Sequence, residues 1–150
     1  MKPFTKAHFP VLGCFSVLLT LSGCGGAELE CDSPQARDSV LRIMADDHNN
    51  ALVNYAAKSS DTVAAKMTHA NGQADKSTIL ETAKRGAVYK LDETIVIKSR
   101  DRAAHAVACG GILAVTVEDT TAEKEVGFTV KQTTDGSIVV AVDPFRFAAQ

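Results

Sequence analysis

The sequence predicts an α+β domain in which N-terminal helices, one of them long, pack on a four-stranded antiparallel meander sheet. Three observations carry this expectation. Val40, Leu41, Met44, His48, Leu52 and Tyr55 recur at three- and four-residue spacings, the period of one helix face. From Val88 onward the period changes to two. The helical patterns all precede the strand patterns, an order that builds helices on one face of an antiparallel sheet rather than alternating βα units.

The first helix opens at Ser33-Pro34, where a Ser hydroxyl can cap free N–H groups and Pro suits the first helical position. Its apolar stripe runs to Tyr55, about six turns, with Arg37, Asp38, Arg42, Asp46, Asn49 and Asn50 largely outside it. Ser59-Ser60-Asp61 breaks that pattern and starts a second helix through Val63, Ala64 and Met67, which Asn71-Gly72 ends. Asp75 or Ser77 opens a third, short helix carrying Ile79, Leu80 and Ala83, closed by Gly86.

The first strand places Tyr89, Leu91, Ile95 and Ile97 on one side and Lys90, Asp92, Thr94, Val96 and Lys98 on the other. The second runs from about Ala103 to Glu118. Its odd face bears His105, Val107, Cys109, Leu113, Val115 and Val117, and its even face is small: Ala104, Ala106, Ala108, Gly110 and Ala114. Gly110-Gly111 in mid-strand predicts a bulge or sharp bend. After a turn over 119–122, the third strand sets Val126, Phe128 and Val130 against Glu125, Gly127, Thr129 and Lys131. Thr134-Asp135-Gly136 is a hairpin signal, and Ile138, Val140 and Val142 make the fourth strand, stopped by Asp143-Pro144. Phe145 and Phe147 follow, to pack back on the core or to stand exposed. The order of elements resembles the cone-shaped NTF2-like and cystatin-like folds, a likeness that licenses no function.

The 150 residues carry 16 Lys+Arg and 18 Asp+Glu, and 45% are hydrophobic, which excludes collagen-like, low-complexity and wholly disordered chains. A formal net charge of −2 lacks the basic surface that nucleic-acid binding requires.

Residues 1–23 read as a signal peptide. Lys2 and Lys6 form a positive start, and an apolar run from about Phe9 to Leu21 follows. That run is shorter than the roughly 20 residues a membrane-spanning helix needs. Leu21-Ser22-Gly23-Cys24 resembles the lipobox of bacterial lipoprotein precursors. The resemblance implies cleavage before Cys24, diacylglycerol on its sulfur and acylation of the new amine. Gly25-Gly26, in place of Asp, implies the outer membrane, facing the periplasm. Residues 24–32 then form a lipidated tether and 33–147 a single domain. The signal removes two lysines and no acid, so the mature chain is more acidic than its precursor.

Of four cysteines, Cys14 leaves with the signal and Cys24 takes lipid. Cys31 and Cys109 remain as an even pair in an oxidising compartment, and the expectation is a disulfide. A thiol nucleophile or metal pair would call for CxxC or Cys/His clustering, which is missing.

No catalytic signature is present. There is no GxSxG elbow, phosphate loop or GxGxxG. The histidines lack HExxH or HxH spacing. His48 reads as a helix-face residue at the core margin, His69 as a helix-terminal residue and His105 as a buried imidazole on the core side of a strand. Asp46-Asp47, Asp92-Glu93 and Glu118-Asp119 are adjacent acids whose side chains diverge, a solvated helix face and two strand ends. The expectation is a non-enzyme without cofactor or metal. Its candidate binding face is the polar sheet face bearing Lys90, Asp92, Thr94, Lys98, Glu125, Thr129 and Lys131. The expected partners are the membrane, through the lipid, and a protein: a periplasm-acting toxin or hydrolase that the chain would neutralise as an immunity lipoprotein. Alternatives are a structural subunit of an envelope assembly or secretion machine, and a carrier of a small hydrophobic ligand.

Overall fold

A computed structural model describes residues 28–145. Four helices, α1 (Pro34–Asp46), α2 (Ala51–Ser59), α3 (Asp61–Thr68) and α4 (Gln73–Arg85), precede five strands. These are β1 (Val88–Leu91), β2 (Val96–Asp101), β3 (Ala106–Val117), β4 (Thr120–Gln132) and β5 (Ile138–Val142). The sheet is antiparallel in the order β1-β3-β4-β5, with β2 alongside β1 on the same edge of β3. Helix α2 covers β3 and β4, and α1 reaches both β1 and β5, so the sheet curls around the helices. The lipobox, Cys24 and Phe147 lie outside the described residues.

The α+β class and the meander hold, with one strand interrupted. The single long helix does not. It divides into α1 and α2 at Asp47-His48-Asn49-Asn50, and Asn50 is the reason. Its buried side-chain amide donates to the Met44 carbonyl (3.1 Å) and the Asp47 carbonyl (2.7 Å), groups that a continuous helix would bond to its own backbone. Its Oδ1 accepts the Val53 N–H at 2.9 Å and caps α2. The same amide reaches the Tyr89 hydroxyl at 3.1 Å, tying the elbow to β1. Burial raises the Tyr89 hydroxyl above its ordinary range; the Asn50 contact opposes the shift and the nearby Asp47 charge adds to it. Lys84 closes the elbow from α4. Its ammonium, 3% exposed, sits 2.9 Å from Asn49 Oδ1, 3.3 Å from Asn54 Oδ1 and 2.6 Å from Glu81 Oε1. His48 therefore stands exposed in a turn, not on a helix face.

Helix α3 starts as its sequence implies: the Ser60 hydroxyl accepts the Val63 N–H. It ends earlier than expected, at a C-cap on His69, while Gly72 is the extended N-cap of α4. Helix α4 thus opens at Gln73, before Asp75 and Ser77, and Gly86 closes it.

The core is the helix-facing side of the sheet, where Val107, Cys109, Leu113, Val115, Val117, Val126, Phe128 and Val130 are buried against Val40, Leu52, Val53 and Val63. Ile138, Val140, Val142 and Phe145 pack at its margin. The first predicted strand breaks over 92–95. Arg37 of α1 donates to the Leu91 and Asp92 carbonyls, both at 2.9 Å, which supplies the bonds that the strand gives up there. The expected bulge at Gly110-Gly111 is absent from β3, which pairs one-to-one with β4 throughout. The irregularity falls on the partner strand instead, between Ile97 and Ser99 of β2. Gly111 serves packing: a Cβ there would lie 3.3 Å from Leu91 Cδ1 and 3.5 Å from Ile95 Cγ1. His105 is also displaced from its expected place. It lies in the β2–β3 turn, largely exposed, with φ 47°, and β3 begins only at Ala106.

The β3–β4 turn is tighter than expected, just Glu118-Asp119, with Glu118 at φ 52°. The Asp119 carboxylate accepts from the Ser60 hydroxyl and the Thr62 N–H, and the Ser60 bond above all holds its carboxyl below the ordinary range. The β4–β5 hairpin closes through Gly136 N–H to the Thr133 carbonyl (2.9 Å), with Gly136 at φ 86°. Hydrogen bonds from Ser137 and Thr133 hold the Asp135 carboxyl down to about 2.

Cys31 and Cys109 are joined in a disulfide, with Cα atoms 5.8 Å apart. It ties the segment before α1 to the first half of β3 and spans a separation of 78 residues. For a loop of that order, chain entropy assigns the bond about 4 kcal/mol. The double substitution Cys31→Ser/Cys109→Ser is expected to lower unfolding free energy by about that amount in urea titrations; a loss under about 1 kcal/mol would contradict the assignment. Lys84→Ala leaves two Asn carbonyl oxygens and Glu81 without their cation, so a loss of about 2 kcal/mol is expected by the same measurement, and no change would show the elbow to be independent of α4.

Candidate functional site

Side chains alternate across a sheet, so burying the odd residues of β3 turns its even residues outward. These are Ala106, Ala108, Gly110, Ile112, Ala114 and Thr116. Their register partners on β4 are Lys131, Thr129, Gly127, Glu125, Glu123 and Thr121. No helix among the described residues covers this face: α1 and α2 pack on the other, and α3 and α4 pack on α2 and on each other.

At its centre Gly110 faces Gly127 across the β3–β4 ladder. Neither has a side chain, and two longer ones fill the hollow. The Lys98 Cε takes the space that a Gly110 Cβ would need, and Asp143 Oδ2 takes the equivalent space over Gly127. Lys98 can reach this position because it occupies the β2 bulge and has no register partner on β3. Its ammonium pairs with Glu125 Oε1 at 2.7 Å. The hydrogen bond and charge of Lys98 hold the Glu125 carboxyl below the ordinary range.

Only part of the polar set that the sequence predicts comes together here. Lys98, Glu125 and Thr129 share the central rows, and Lys131 lies in the row of Asp101, Ala106 and Val139. Lys90 is on the same face but opposite Ala114, roughly 27 Å along the strand from the Lys131 row. Asp92 and Thr94 leave the face altogether, because they lie in the break between β1 and β2. The Asp92 carboxylate turns back onto the Glu93 N–H at 2.6 Å.

Four exposed apolar side chains join this face beyond the predicted polar set. Val88 is 65% exposed, Val96 51%, Val139 50% and Ile112 39%, and strand parity puts all of them on the outer side. Parity is the signal that marks them: Ile112 falls in step with Gly110 and Ala114, and Val139 out of step with Ile138 and Val140. The resulting surface is weakly polar, with mostly small residues and Ile112 along β3 and aliphatic ones on the flanking strands β1, β2 and β5. Its chemistry suits contact with another macromolecular surface. It offers no converging nucleophile and base.

Among the described residues, no three His, Cys, Asp or Glu side chains gather as a cation site, and no helix is long and apolar enough to cross a membrane. A cleft of about 510 Å³ opens at the end of the sheet where the chain enters the domain, beside Leu29, Arg100, Arg102 and His105. Another, of about 390 Å³, lies by the α1–α2 elbow next to Asn50 and Phe145.

Lys98→Met is expected to return Glu125 toward the ordinary carboxylate range while leaving the thermal midpoint nearly unchanged, as both partners are largely exposed. A carboxyl lowered by folding contributes stability above its unfolded value and loses it as pH falls through the folded one, so any stabilisation by the pair is present at neutral pH and disappears in acid. Carboxyl-detected NMR titration of both proteins reads this directly; a Glu125 midpoint identical in the two would exclude the pair in solution.

Comparison with protein-family models, with curated proteins and with solved structures finds no match to this chain.

Proposed function

We propose that this chain is a lipid-anchored, periplasm-facing protein-binding domain, and that its role is to neutralise a periplasm-acting toxin or hydrolase. The observation that carries the binding half of this reading is the helix-free outer face of the sheet. Val88, Val96, Ile112 and Val139 stand exposed there around a floor of alanines and glycines. Interfaces draw affinity from side chains that lose water on contact, and here the aliphatic residues would supply them, with the central Lys98–Glu125 pair and Lys131 as the polar contacts. The anchoring half rests on the lipobox at Leu21–Cys24 and agrees with an oxidised Cys31–Cys109 pair. An anchor raises the inhibitor's effective concentration at the envelope, where such an enzyme would act.

Deleting the gene in its host is expected to sensitise cells to one toxin only, with survival restored by the wild-type chain. The variant Ile112→Glu/Val139→Glu changes only exposed positions, and it is expected to fold normally yet fail to protect, with partner affinity reduced at least roughly ten-fold. Partner capture from envelopes with the Cys24→Ala chain identifies the toxin. A general permeability or secretion defect, with normal survival beside toxin producers, would assign the chain to an envelope machine instead.

A further inference from the structure

We propose that the cleft at the entry end of the domain takes the phosphate of an anionic phospholipid headgroup, so that the domain stands on its membrane with the β2–β3 turn downward. This rests on the lipid-anchor reading. With Cys24 acylated, Gly25, Gly26 and Ala27 alone separate the lipid from Glu28. That length of chain extends at most about 14 Å.

The residues that follow are fastened to the sheet. Arg100 of β2 binds Glu28 Oε1 and the Leu29 carbonyl, both at 3.0 Å, and Cys31 is bonded to Cys109. Little slack remains between membrane and sheet, and the cleft of about 510 Å³ lies at that junction. Leu29 and Val107 line its apolar side, and on the polar side Arg100 and Arg102 stand with two carboxylates, Glu28 and Asp101.

The two lining acids, and Asp135 beyond them, have partners of their own. Glu28 is on Arg100, the Asp101 carboxylate accepts the Ala104 N–H at 2.9 Å, and Asp135 is bound within its own hairpin. Arg102 has no ion-pair partner among the described residues. The turn presenting it is fixed by the His105 N–H on the Arg102 carbonyl and the Gln132 N–H on the His105 carbonyl (2.9 Å). A guanidinium offers the planar donor fork that phosphate oxygens accept.

The chain contains no Trp, so a single introduced indole reports without background. The full lipidated chain is reconstituted in phosphatidylethanolamine–phosphatidylglycerol vesicles containing headgroup spin-labelled lipid. Two separate variants carry the probes: Ala104→Trp marks the β2–β3 turn and Lys58→Trp the far end, both at exposed positions. Several-fold stronger quenching is expected for the turn probe than for the far-end probe. Replacing phosphatidylglycerol with phosphatidylcholine, or adding Arg102→Glu, is expected to weaken quenching of the turn probe by about five-fold. Equal quenching of the two probes, or turn-probe quenching indifferent to headgroup charge and to Arg102, would overturn the proposal while leaving the anchor intact. A chain that fails to float with the vesicles would overturn the anchor reading and this proposal together.

Discussion

The covalent tie between Cys31 and Cys109 is the constraint on which the rest of the structure depends. Cys109 lies in the first half of β3, the strand that β1 and β2 join on one side and β4 on the other. Fastening the chain there, just before α1, fixes where the helical layer begins relative to the sheet. Helix α1 then runs from a pinned start, and Arg37 in its first turns meets the break between β1 and β2. A small domain with a modest core gains from such a staple, because the cross-link restricts the unfolded chain as well as the folded one.

The elbow at Asn50 follows from the curl of the sheet. One straight helix could lie along the middle of the sheet or across its two edges. The observed pair does both, with α1 touching β1 and β5 and α2 covering β3 and β4. Breaking the helix exposes carbonyls, and one buried asparagine with one buried lysine organises the break. With the helical layer committed to one side, the other side of the sheet stays uncovered. The Gly110–Gly127 pair, the Lys98 strap and the exposed aliphatic residues are thus consequences of how the core is closed, and they form the surface through which binding is proposed.

Much of this was legible in the residues. The odd–even division of β3 and β4, the Ser33 and Ser60 caps, the Gly86 stop and the Gly136 hairpin are local effects that short-range chemistry determines. The Cys31–Cys109 pairing follows from counting once the lipobox resemblance sets Cys14 and Cys24 aside. The elbow was hidden because the apolar period continues through His48 to Leu52 and Tyr55; what breaks the helix is Asn50 meeting Tyr89, and Lys84 closing over the turn, partners distant in sequence. The glycines at 110 and 111 showed that something unusual happens there, but not that the bulge lies on the neighbouring strand. His105 read as a strand residue because its left-handed backbone leaves no mark on an alternating pattern. Of the candidate face, parity alone carries Glu125, Thr129 and Lys131 to the outer side, whereas Lys98 comes there from the β2 bulge. Parity does not reach Asp92 and Thr94, since it assumes an unbroken strand.

The anchor proposed at Cys24 and the cross-link between Cys31 and Cys109 together set how the domain would be held. Non-reducing peptide mapping of the protein purified from its native envelope tests this most directly. The predicted result is an N-terminal peptide beginning at an acylated Cys24, together with a peptide pair linked through Cys31 and Cys109. An unprocessed N-terminus with free thiols at both positions would contradict it.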